Sequence, residues 1–95
     1  MAYVIRSFRH KGLERFWASG DIRGIAAQHA ARLLRMLDAL HASKNPPDLN
    51  LPGFGWHPLK GAQRGRFALK VSGNWRLTFG FQRGDAINLD LEDYH

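Results

Sequence analysis

The sequence predicts an α+β domain, with two helices near the N terminus packed on an antiparallel sheet of about four strands. Three observations lead there. Residues 25–42 carry an apolar stripe of helical period, the last third alternates apolar and polar residues with period two, and a proline- and glycine-rich segment separates the two. With 95 residues, 44% hydrophobic and 12% aromatic, the chain should build one modest core and form a single domain over residues 1–95.

Tyr3–Phe8 opens as a short strand, with Val4 and Ile5 apolar and β-branched. His10–Ser19 is a short helix: Leu13, Phe16 and Trp17 fall at i, i+3 and i+4, and Gly20 suits the residue after its end. The longer helix is Ile25–Ala42, where Ala26, Ala30, Leu33, Leu34, Leu37 and Leu40 share a face and Arg32, Arg35 and Asp38 look away from it. It must end before Asn45-Pro46-Pro47, because proline cannot continue a helix and restricts the residue before it.

Residues 43–65 are rich in proline and also hold Gly53, Gly55, Gly61 and Gly65, so they read as a long loop. Leu49, Leu51, Phe54, Trp56 and Leu59 predict that it is packed rather than disordered. A β-meander follows. Phe67, Leu69 and Val71 alternate with Ala68 and Lys70, and a turn falls at Ser72-Gly73-Asn74. Trp75, Leu77, Phe79 and Phe81 then alternate with Arg76, Thr78, Gly80 and Gln82. After the turn at Arg83-Gly84-Asp85, Ile87, Leu89 and Leu91 complete the apolar set. Period-two alternation buries one face and frees the other, so Lys70, Arg76 and Thr78 stay on an open face while the helices cover the apolar one.

The absence of cysteine excludes a disulfide framework and a thiolate metal site. No apolar run approaches the roughly 20 residues of a membrane span, and no signal-peptide pattern is present, so a cytoplasmic protein with no membrane partner is expected. The formal charge is +6, and its distribution says more than its sum. Residues 57–84 carry Lys60, Arg64, Arg66, Lys70, Arg76 and Arg83 without an acid, whereas residues 85–95 reverse the sign with Asp85, Asp90, Glu92 and Asp93. A basic body of this kind suits a polyanionic partner, nucleic acid first.

Functional groups gather at two places, His57-Pro58-Leu59-Lys60-Gly61 and the terminal Asp93-Tyr94-His95. Chain ends fray unless tied down, so two ionisable groups and a ring placed there point to a site. Cutting RNA through its own 2′-hydroxyl needs a base for the 2′ proton, an acid for the departing 5′ oxygen and cations for the charge on the phosphorane. No metal or cofactor is needed. Histidine suits either proton role, and lysine and arginine suit the third. His57, Asp93 and His95 are the proton-transfer candidates, and Lys60 and Arg76 the phosphate-binding ones. Tyr94 could stack on a base, and Lys70 and Arg66 could join it in holding substrate. A metal site is not expected, because no pair among the five histidines has ligand spacing; His10, His29 and His41 stand apart from the site. Strand parity adds a condition. Tyr94 shares the face of Arg76 while Asp93 and His95 share that of the core leucines, so the last strand should break step after Leu91 if all act together.

Four pieces occur in order along the chain: Ile5-Arg6-Ser7-Phe8 with His10-Lys11-Gly12-Leu13, His57-Pro58-Leu59-Lys60-Gly61, Asn74-Trp75-Arg76 leading into Leu77-Thr78-Phe79, and Glu92-Asp93-Tyr94-His95. In these the chain resembles the HigB toxins of bacterial type II toxin–antitoxin systems, within the RelE-like ribonuclease superfamily. The resemblance implies the compact RelE-like fold and a ribosome-dependent endoribonuclease that cuts mRNA in the A site. It also implies neutralisation by a HigA-type helix-turn-helix antitoxin. Carried over by position, it makes His57, Asp93 and His95 the catalytic group, with Lys60 and Arg76 acting on the phosphate and Tyr94 on the nucleotide. The chain departs from the family pattern at Arg66-Phe67-Ala68, where an aromatic-polar pair is common, and in its slightly longer start, Met1-Ala2-Tyr3-Val4. Two other readings use the same basic face: a noncatalytic RNA- or ribosome-binding module, and an inactive toxin that serves only as an antitoxin co-repressor.

Overall fold

The computed structural model describes residues 5–94; His95 and residues 1–4 lie outside the described residues. Two α-helices, α1 (Lys11–Ser19) and α2 (Ala30–Ala42), cover one face of an antiparallel sheet. Its strands β1 (His57–Pro58), β2 (Arg66–Ser72), β3 (Trp75–Gln82) and β4 (Asp85–Asp93) lie side by side in chain order. The core is Leu13 and Phe16 from α1, Leu33, Met36, Leu37 and Leu40 from α2, and Leu69, Leu77, Phe79, Leu89 and Leu91 from the sheet.

The first helix forms as expected. The His10 ring caps it, with Nδ1 accepting from the Leu13 amide at 3.0 Å, and Gly20 closes it in the left-handed region at φ 77°. The second is shorter than its apolar stripe suggests and lies well into the chain rather than at the N terminus. Ala26 is extended, Ala27–His29 is a 3-10 turn, and the α-helix begins only at Ala30. The cause is tertiary: Gly24 lies flat against Gly12 of α1, where a Cβ on Gly12 would meet the Gly24 carbonyl oxygen at 2.4 Å, and this contact holds the chain before Ala30 out of the helix. The stripe rotates accordingly. Met36 is buried, whereas Leu34 is 46% exposed. Arg32, expected to face solvent, donates to the carbonyl oxygens of Lys70 and Gly53, pinning the long loop to β2.

That loop packs through Leu49, Phe54 and Trp56, but Leu51 stays exposed. It also supplies the fourth strand, which its composition hides. His57 and Pro58 pair with Ala68 and Phe67, and the Leu59 amide donates to Arg66 O at 2.9 Å. An edge strand tolerates a proline that cannot donate to the ladder. The first strand is the counterpart miss. Among the described residues only Ile5 and Phe8 bridge β4, in parallel, and Tyr3 and Val4 fall outside them.

Within β4 the alternation slips. Gly80 pairs with Ile87 but Thr78 with Asp90, so Phe79 faces the two residues Asn88 and Leu89. Asn88 takes φ 52°, a conformation asparagine tolerates better than most residues. Ala86 thereby enters the core and Ile87, expected there, turns to the other face over Gly80, whose missing side chain leaves it room.

Candidate functional site

Residues opposite one another in a ladder project to the same face. The pairings give cross-strand rows on the side away from the helices: His57–Ala68–Thr78–Asp90, then Lys70–Arg76–Glu92, then Arg66–Gly80–Ile87. Tyr94, two residues beyond Glu92, continues the strand by donating its amide to Asn74 O at 2.8 Å. The fold therefore brings His57, Arg66, Lys70, Arg76 and Tyr94 to one face.

His57 is exposed at the sheet edge, with Nδ1 3.0 Å from the Gly55 carbonyl oxygen. A carbonyl only accepts, so Nδ1 carries the proton and the Nε2 lone pair is left to act as a base. Arg76 bends back onto the β2–β3 turn, Nη1 donating to Gly73 O at 2.7 Å and Trp75 O at 3.1 Å, which leaves its Nη2 and Nε donors for a substrate. Burial, and then repulsion from the Glu92 carboxylate, raises the Tyr94 phenol above its ordinary value, so the ring is uncharged at neutral pH. Burial, followed by the neighbouring Arg9 charge, lowers Arg66 from the usual guanidinium value, yet it remains a cation.

Two candidates lie off these rows. Lys60 is exposed on the loop after β1, at the start of a 3-10 turn over Gly61–Gln63. Asp93 is exposed at the end of β4 opposite Trp75. The break in step expected after Leu91 is absent there, because Leu77–Leu91, Arg76–Glu92 and Trp75–Asp93 pair in unbroken register; the strand breaks step at Asn88 instead. His95 lies outside the described residues.

Sequence reasoning missed the polar network between the cations. Thr78 is fully buried; its hydroxyl accepts from Arg66 Nη2 at 3.0 Å and donates to Glu92 at 2.5 Å. Arg66 Nη2 also donates to Asn88 O at 2.8 Å. Parity could have placed Thr78 and Glu92 beside Arg76. The role of Asn88 depends on the bulge, for which the only local signals were a glycine on one strand and an asparagine on the next.

Chemically, this face offers a histidine base, several guanidinium and ammonium donors and an aromatic ring on an exposed surface, a set suited to an extended phosphodiester. Known proteins share the sequence behind it. The family described as RelE-like toxin of type II toxin–antitoxin system HigB matches residues 6–95. Endoribonuclease HigB of Proteus vulgaris is 40% identical over 92 residues, spanning 97% of this chain and 100% of that protein.

Proposed function

This chain belongs to the HigB family of RelE-like toxins of type II toxin–antitoxin systems, and from that premise we propose that it is an endoribonuclease that cuts mRNA in the ribosomal A site. The observation that carries the reading is the shared face of His57, Arg66, Lys70, Arg76 and Tyr94. In the proposed reaction the RNA 2′-hydroxyl attacks its own phosphorus in line. His57 Nε2 takes the 2′ proton, Arg76 and Lys60 neutralise the charge on the phosphorane, and Tyr94 stacks on the nucleotide. His95 returns a proton to the departing 5′ oxygen, and Asp93, held opposite Trp75 on the other side of β4 from Arg76, acts through its charge rather than by touching the RNA. The product is a 2′,3′-cyclic phosphate and a free 5′-hydroxyl. No metal takes part in these steps.

The ribosome supplies much of the rate by holding the mRNA in the attacking geometry, an entropic contribution that the exposed face does not make alone. A HigA-type helix-turn-helix antitoxin neutralises the toxin, and the reaction takes place in the cytoplasm with the translating ribosomes. Among the described residues no helix is long and apolar enough to cross a membrane.

The test is expression of wild type, His57→Ala, His95→Ala and Asp93→Ala, with mRNA 5′ ends mapped across the transcriptome. Wild type should give codon-phased cuts, and each variant far fewer. No phased cuts from wild type, together with growth arrest, would replace the nuclease by a ribosome-binding module. Cuts that persist in all three variants would leave the activity standing and overturn the assignment of its residues.

A further inference from the structure

The β4 bulge does more than correct strand register. Asn88 ties together Arg66 of β2 and the segment that leads into α1. Its carbonyl oxygen accepts from Arg66 Nη2 at 2.8 Å, and its amide donates to Ser7 Oγ at 2.8 Å, fastening the segment that carries Arg9. The Arg9 amide in turn donates to Leu89 O at 2.7 Å. The Arg66 guanidinium and the Arg9 backbone thus both lie beside the bulge, near the end of the open face where Arg66, Gly80 and Ile87 form a row, whereas Arg76 lies with Lys70 and Glu92 two rows along.

The Glu92 and Asp90 charges offset part of the Arg66 charge without pairing with it directly. Arg9 and Arg66 form no ion pair among the described residues, although acids close to Arg66 could provide one. Glu92 is taken up by Thr78, and Asp90 accepts from the Leu91 amide at 2.9 Å. The Arg66 Nε is buried and has no hydrogen-bond partner, which is costly for a charged donor group. Each guanidinium also repels the other, the Arg9 charge being one cause of the lowered Arg66 value. Stability alone does not account for two like charges and an unpaired buried donor held together by a left-handed asparagine. An anion bound between them would offset the repulsion, and bulges are a common device for aiming side chains at such sites.

We propose that Arg9 and Arg66 form a second phosphate subsite for the RNA strand, holding a phosphodiester next to the one that is cut. The proposal rests on the nuclease reading and adds a contact to the substrate.

The probe is a pentanucleotide of 2′-O-methyl RNA, which lacks the attacking hydroxyl, with single linkages replaced in turn by uncharged methylphosphonates. Its binding is measured at low salt to wild type, Arg9→Gln, Arg66→Gln and, as a control on the outer side of α2, Arg35→Gln. Wild type and the control should lose about 5- to 10-fold in affinity when one particular linkage is neutralised. Arg9→Gln and Arg66→Gln should bind the unmodified probe correspondingly less well and lose nothing further at that linkage. For each, the slope of log affinity against log salt should fall by about 0.7, the value for one single-strand phosphate contact. Losses that add independently at every linkage, or variants that bind as wild type does, overturn the subsite; so does a wild type that fails to bind the probe. In each case mRNA cleavage by wild type in a translating extract would leave the nuclease reading intact, while absence of that cleavage would remove it.

Discussion

Thr78 is fully buried yet polar, and its hydroxyl joins the Arg66 guanidinium to the Glu92 carboxylate at the centre of the open face. Replacing it by valine keeps the shape but leaves two charged groups without their shared partner. Thr78→Val should therefore lower stability by about 1–3 kcal/mol in urea unfolding, whereas Thr78→Ser should recover most of the loss because it keeps the hydroxyl. Equal losses in both would assign the effect to packing. Tyr94 makes a different prediction. Its raised phenol is neutral at working pH, and stacking needs only the ring, so Tyr94→Phe should cleave within about twofold of wild type. Tyr94→Ala should lose on the order of 10- to 100-fold, matching about 1–3 kcal/mol of stacking. The sign of the pH effect follows from the direction of the shift. A group raised on folding contributes stability that is complete below its unfolded value, near 10.0, and lost as pH rises through the folded value. Absorbance titration should show one tyrosine ionising later in wild type than in the unfolded chain, and that late step should vanish in Tyr94→Phe.

At the scale of the element, the break in β4 decides which side chains face the substrate. The left-handed Asn88 puts Ala86 and Leu89 in the core together, which strict alternation forbids. A β-branched residue resists that conformation, so Asn88→Val should cost on the order of 1–2 kcal/mol more than Asn88→Gly. It should also shift the chemical shifts of residues in both Arg66 and Ser7 segments. If valine and glycine prove equally stable, the bulge carries no strain at this residue. Local chemistry was enough to read α1, whose apolar spacing and closing glycine agree with its packing. It was not enough for α2, because the contact between Gly12 and Gly24 joins residues that no short window compares.

For the whole molecule, the helices press on one face of the sheet and the charged residues on the other, so the end of the chain is divided between them. Asp93 still pairs with Trp75, while Tyr94 adds one amide bond to Asn74 and partial burial. Deleting residues 94–95 should therefore lower the thermal midpoint by no more than about 4–8 °C, the equivalent of roughly 1 kcal/mol in a domain of this size, while RNA cleavage collapses. A much larger fall would make the terminus part of the core. The α+β class, the meander, the cationic face and the family membership could be read from the chain directly, because period, composition and ordered motifs are properties of nearby residues and their identities. The start of α2, the conversion of a proline-bearing loop into an edge strand and the break in step of β4 came only with the folded molecule. Each of those depends on backbone approaching backbone across the fold: Gly24 on Gly12, Pro58 beside Phe67, and Asn88 set between Ser7 and Arg66.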